Sequence, residues 1–237
     1  MNPLNSAFCA RCAAVLVSAF TLTLAGCPNC APYVALINPD HFGGPIDNLY
    51  YPLSPGTTFT YEKVTGEGIE RAVVTVSREK KTILDVECTV VRDTVTQDGE
   101  LVEDTFDWFA QDMAGNVWYF GEYSTDFEDG AVAGHDGSWE AGVNGAQPGV
   151  VMKANRRVGD TYYQEFSCDI AEDQATIVGL EAAVVVPYGL FSNCVQTTDF
   201  TPLEPGVEET KFYAPGVGFV LAEEADGNLQ LVSVSTQ

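Results

Sequence analysis

The chain has 237 residues, 34 of them acidic and 11 basic, for a formal net charge of −23 at pH 7. That excess argues against nucleic acid as a partner and against an electrostatic hold on anionic lipid, since both need Lys and Arg to displace counterions. With 46% apolar residues the chain can still bury a core, and the acids keep its surface solvated.

Residues 1–12 carry Arg11 and no acid, and Ala13 to Leu24 is apolar apart from Ser18, Thr21 and Thr23. A run this short does not cross a hydrocarbon core of about 30 Å, so it reads as a cleaved export signal. It ends in Leu24-Ala25-Gly26-Cys27, which resembles the lipobox of bacterial lipoproteins. The resemblance implies a leader at residues 1–26, cleavage before Cys27 and acylation of the Cys27 thiol. It also implies a protein held at the cell envelope by lipid. Pro28 rather than Asp follows the cysteine, so the family's inner-membrane retention signal is missing. That implies the outer membrane or, in a cell with one membrane, the cell surface. Loss of the leader removes Arg11 and no acid, moving the net charge from −23 to −24.

Cys9 and Cys12 leave with the leader. Cys27-Pro28-Asn29-Cys30 has the spacing of a thioredoxin-like redox site, but Pro28, Pro32 and Pro39 leave no helix to activate a thiol, and acylation consumes Cys27. Cys30, Cys88, Cys168 and Cys194 remain, enough for two disulfides in any of three connectivities. Cys88, Cys168 and Cys194 fall in expected strands, which predicts one cross-strand bridge.

Residues 27–50 are rich in proline and lack periodicity, and read as a tether. From residue 51 to 237 the chain reads as one all-β domain. Runs rich in Val, Thr, Tyr, Phe and Trp, separated by turn residues, predict strands at 57–65, 69–78, 82–96, 100–111, 117–123, 158–167, 174–186, 194–200, 207–213, 218–224 and 229–234. Their order predicts an antiparallel meander closed into a barrel or half-barrel. Residues 139–151, with three glycines and a proline, read as a long ordered loop.

The hairpin Asp112-Met113-Ala114-Gly115-Asn116 specifies a register. It places Ala110 opposite Trp118, Phe109 opposite Tyr119, Trp108 opposite Phe120, Asp107 beside Gly121 and Phe106 opposite Glu122. A second turn at Asp98-Gly99 brings Arg92 near Asp104, and Pro187-Tyr188 and Pro215-Gly216 mark two more turns.

This hairpin is aromatic on both faces. Buried packing is one reading, and a stacking platform for a ring-bearing ligand is the other. The candidate ligand-binding residues are Trp108, Asp107, Trp118, Tyr119, Trp139 and Glu140. Asp126-Phe127-Glu128-Asp129-Gly130 gathers three carboxylates without the alternating spacing of an EF-hand loop, so Asp126, Glu128 and Asp129 are candidate calcium ligands or a solvated loop. No other cofactor is expected. Glu140 and Glu165 are a conceivable hydrolase pair, but the chain has no nucleophile elbow, zinc helix or P-loop, and nothing points to an enzyme.

Tyr51-Pro52-Leu53-Ser54-Pro55-Gly56-Thr57-Thr58-Phe59-Thr60-Tyr61, Glu103-Asp104-Thr105-Phe106-Asp107-Trp108 and Lys211-Phe212-Tyr213-Ala214-Pro215-Gly216-Val217-Gly218 together resemble an uncharacterised group of secreted, β-rich bacterial proteins. The resemblance implies a single β domain and no particular activity. The expected function is therefore an exported, lipid-anchored module for a small molecule or cation. The alternative is an envelope lipoprotein with a purely structural or interaction role.

Overall fold

Strict alternation of buried and half-buried residues along Thr57–Thr65 shows how this chain makes its sheet: Thr57, Phe59, Tyr61 and Lys63 turn inward while the residues between them face out. The computed structural model describes residues 30, 33–66 and 68–237. Cys27 and the expected leader at residues 1–26 lie outside the described residues.

Among the described residues, fifteen strands form one antiparallel sheet: β1 (Thr57–Thr65), β2 (Gly68–Ile83), β3 (Val86–Gln97), β4 (Glu100–Gln111), β5 (Val117–Glu128), β6 (Ala131–Gly134), β7 (Trp139–Glu140), β8 (Gln147–Met152), β9 (Thr161–Tyr163), β10 (Glu165–Phe166), β11 (Gln174–Val186), β12 (Gly189–Phe200), β13 (Glu208–Ala214), β14 (Gly218–Glu224) and β15 (Gly227–Thr236). The order across the sheet is β10-β8-β5-β4-β3-β2-β1-β15-β14-β13-β12-β11-β9, with β6 and β7 added on β5. This is the expected meander, and β1 pairs with β15 so that the two ends of the domain meet. The ladder does not close into a barrel. One short segment instead serves both edges: Thr161–Tyr163 pairs with β11, and Glu165–Phe166 pairs with β8. Between them Gln164 donates its backbone N–H to the Asp173 carbonyl at 2.8 Å.

The expected strand at 158–167 is thus two short pieces. The expected loop at 139–151 contains β7 and β8. Both differences come from glycine. Gly149 carries no side chain where a Cβ would collide with the Gln164 backbone, so β8 approaches more closely than alternation of side chains predicts. β2 runs on to Ile83, through the charged residues Glu79, Lys80 and Lys81 that the sequence reading left between strands.

The turns at Asp98-Gly99 and Gly115 have the positive φ angles expected of them, 49°, 90° and 89°. Arg92 makes two hydrogen bonds to Asp104, each 2.8 Å. The β4–β5 register holds at Ala110↔Trp118 and Phe109↔Tyr119, then shifts. Asp107 stands opposite Glu122 rather than Gly121, and Phe106 opposite Tyr123 rather than Glu122. The cause is a bulge at Gly121, whose φ of 130° is open to glycine and strained for other residues.

The expected cross-strand disulfide is not formed. Cys30 bridges to Cys168, with Cα atoms 5.8 Å apart, and Cys168 lies in a turn. Cys88 and Cys194 are buried free thiols. Burial pushes the Cys88 thiol up to about 12, which makes it a core residue rather than a nucleophile. Over its described part, the stretch read as a tether lies against the sheet. Tyr33 packs on Tyr163 and Phe166, Phe42 on Trp118 and Phe120, and Ile46 belongs to the core. Its apolar side chains are spaced irregularly and dock singly, so no period in the sequence announces the contact.

Candidate functional site: a cleft over an acidic interior

The Gly121 bulge builds the site. A Cβ at that position would collide with the Trp139 carbonyl oxygen. Its absence lets the two-residue strand β7 pair with Gly121 and Glu122. That pairing carries Trp139 and Glu140 to the face of β4 that holds Trp108. Together with the end of β2 they enclose an open cleft of about 620 Å³, lined among others by Lys81, Trp108, Glu122, Tyr123, Trp139 and Glu140. This volume lies in the range of small-molecule sites, and its walls combine aromatic area with a few charged groups.

The charged groups are arranged on the aromatic wall. The Lys81 ammonium sits 3.2 Å from the centroid of the Trp108 ring and 2.7 Å from a Glu140 carboxylate oxygen. It therefore makes a cation–π contact and an ion pair at once. Trp108 and Trp139 are themselves almost fully buried, 6% and 5% exposed, and both rings also belong to the core. Trp139 donates its indole N–H to the buried carboxylate of Glu165 at 3.0 Å.

Behind the cleft lies a file of buried acids. Tyr119 places its hydroxyl 2.7 Å from Asp107 and 2.9 Å from Glu122. Burial, and next the Asp107 charge, push the Glu122 carboxyl up to about 8. Burial and then the neighbouring Asp173 raise Glu165 well above the carboxylate range. Burial likewise raises Asp173 to about 7 and Glu209 to about 8. Lys211 faces this group. Burial works against its charge, but Glu209 and Asp199, each 3.2 Å away, outweigh that and raise its pKa.

Of the residues expected to bind a ligand, Trp108, Trp139 and Glu140 come together at the cleft. Asp107 and Tyr119 do not: they are fully buried on the other side of the wall, in the hydrogen-bonded file. Trp118 does not either, since its indole N–H donates to Asp112 at 2.8 Å and its ring packs on Phe42. Trp118 braces the hairpin. Alternation places Asp107 and Trp108 on opposite faces, so the expected set had to divide.

The expected calcium ligands do not converge. Asp126 and Glu128 lie on β5 and Asp129 in the turn after it, at a φ of 53°. Among the described residues, the donors close enough to share a metal are Cys30, Cys168, Asp169 and Glu172, and there both sulfurs are bonded to each other. The Glu140–Glu165 pair also divides: Glu140 faces the cleft, while Glu165 lies beneath it and is 4% exposed.

Lys81 and Glu122 are among the cleft residues that were not sequence candidates. Lys81 sits in the charged run Glu79-Lys80-Lys81, which reads as a break between strands and carries no apolar alternation to mark the strand as continuing. The bulge moves Glu122 from the expected Phe106 register to that of Asp107, so it reaches the cleft from the side of the buried file, and its signal was a glycine inside an aromatic strand.

No protein-family model and no curated protein matches the chain. Among solved structures it is similar to one described as "a putative lipoprotein from Parabacteroides distasonis ATCC 8503", at 13% identity and a TM-score of 0.43, over 79% of this chain and 99% of that one.

Proposed function

We propose that this chain is an exported lipoprotein, acylated at Cys27 and held at the outer membrane or cell surface, whose β domain binds a small ligand in the cleft over Trp108 and Trp139. The observation that carries the binding role is the cleft itself, which sets two tryptophans beside a Lys81–Glu140 ion pair. The order of Arg11, apolar run and lipobox supports the attachment.

The two halves are tested separately. Intact mass of the membrane fraction reads out acylation, and replacing Cys27 by Ala releases the protein from the membrane if the thiol is the anchor. For the cleft, thermal melting of the mature protein is compared with and without panels of amines, glycans and calcium, because a ligand that binds only the folded state raises the melting point. A panel with no shift favours the alternative, an envelope lipoprotein that works through its acidic surface.

A further inference from the structure

The side chain already lying on the cleft wall indicates the chemistry of the ligand. We infer that the cleft is a receptor for an organic ammonium, and that the Lys81 side chain occupies the ammonium position when the ligand is absent. This rests on the reading of the cleft as a ligand site and names the class of molecule it takes.

The argument starts from what lies within reach of the Lys81 nitrogen. A tryptophan face at 3.2 Å and a carboxylate at 2.7 Å are the two groups that recognise a desolvated ammonium. Lys81 is tied at its backbone to Cys88 on β3, so its Cα is fixed while its four-carbon stem is free to swing. It is also about one-third exposed, so its departure uncovers the position from the solvent side.

A neutral ring has to displace Lys81 from Trp108 and then leave Glu140 without a partner. An ammonium replaces Lys81 like for like and keeps Glu140 paired. The remaining wall suits a cation with an apolar body. Phe106 and Tyr123 add aromatic surface, Glu79 and Glu122 add acids, and Lys80 is the other base on the wall. The volume of about 620 Å³ exceeds what an ammonium group fills, which leaves room for that body. At a net charge of −23 the whole molecule draws cations and repels anions.

The test uses the mature, full-length protein in a non-ionic detergent at 0.15 M salt. Phenethylammonium and tetramethylammonium are titrated against neutral benzyl alcohol and cellobiose, with tryptophan emission and calorimetry as readouts. Saturable binding of the ammonium ions and none of the neutral molecules is expected. Lys81→Met removes the competing charge and is expected to tighten ammonium binding by about tenfold, as relief of a largely occupied site does. Trp108→Leu is expected to abolish it, with circular dichroism and the melting curve confirming that the variant folds.

Cellobiose or benzyl alcohol binding without ammonium binding overturns the inference and leaves the cleft as a ligand site. No binding by any of the four overturns both. Ammonium binding that weakens in Lys81→Met overturns the substitution role of Lys81, and binding that survives in folded Trp108→Leu places the ammonium somewhere else.

Discussion

Asp107 and Glu122 stand directly opposite each other across β4 and β5 and meet at a single phenol, the Tyr119 hydroxyl, at 2.7 and 2.9 Å. A phenol has one proton to donate. It therefore serves one carboxylate, and the second hydrogen bond forms when the other carboxyl carries a proton of its own and donates back.

Stability therefore falls as pH rises. Glu122, Asp173 and Glu209 have folded-state pKa values raised to about 8, 7 and 8, against about 4 in an unfolded chain. Between those limits the folded state binds more protons than the unfolded one. Its advantage is complete below the unfolded value and is lost as pH climbs through 7 to 8. The urea midpoint is expected to be higher at pH 5 than at pH 9. Glu122→Gln, which keeps a hydrogen-bonding group without the titration, is expected to flatten the dependence. A midpoint that climbs from pH 5 to pH 8 would refute this account.

Lys211 compensates two acids that face each other across β12 and β13, Asp199 and Glu209. Lys211→Met leaves both buried without their cation, and removing one partner of a buried ionic group costs about 3–5 kcal/mol. The loss, measured by urea denaturation, is expected to be smaller at pH 5 than at pH 8.5, because Glu209 escapes the penalty by taking up a proton. Equal losses at both pH values would show that the ammonium contributes packing rather than charge.

Gly121→Ala is expected to lower stability by about 2–3 kcal/mol, from a positive φ imposed on an L residue and from collision with the Trp139 carbonyl. Since β7 is displaced, tryptophan emission is expected to shift as Trp139 loses its bond to Glu165. A variant with wild-type stability and spectrum would mean that β7 does not depend on the bulge.

The disulfide ties residues 138 apart in sequence. On the chain-entropy view, a loop of that length makes the bridge worth up to about 5 kcal/mol. Denaturation with and without dithiothreitol measures it, and Cys30→Ser is expected to reproduce the reduced value. Indistinguishable curves would mean that the packing of Tyr33 alone holds the segment in place.

What was legible in the sequence is what local chemistry decides. β1, β4, β11 and β14 have the ends that alternation and turn residues predict, and the hairpin at Gly115 sets its first two pairs correctly. The bridge, the placement of residues 33–50 and the division of the aromatic set were not legible, because each depends on a contact between distant segments. Glycine decided much of this. Gly121 and Gly149 each admit a second backbone, and a missing side chain says that something approaches without saying what. Trp108 and Trp139 could be named together because both are large rings, one in an aromatic strand and one beside a glycine-rich stretch. Lys81 could not, because a lysine in a charged run looks like any solvated turn.

Beyond the short cover given by Thr161–Tyr163, one side of β11 has no partner strand among the described residues. Its pairing with β12 breaks register three times in that stretch, between Ile177 and Gly179, Gly179 and Ala182, and Ala182 and Val184. Each break turns the outward amides and carbonyls out of phase. That stretch offers an added strand no regular rail on which to pair.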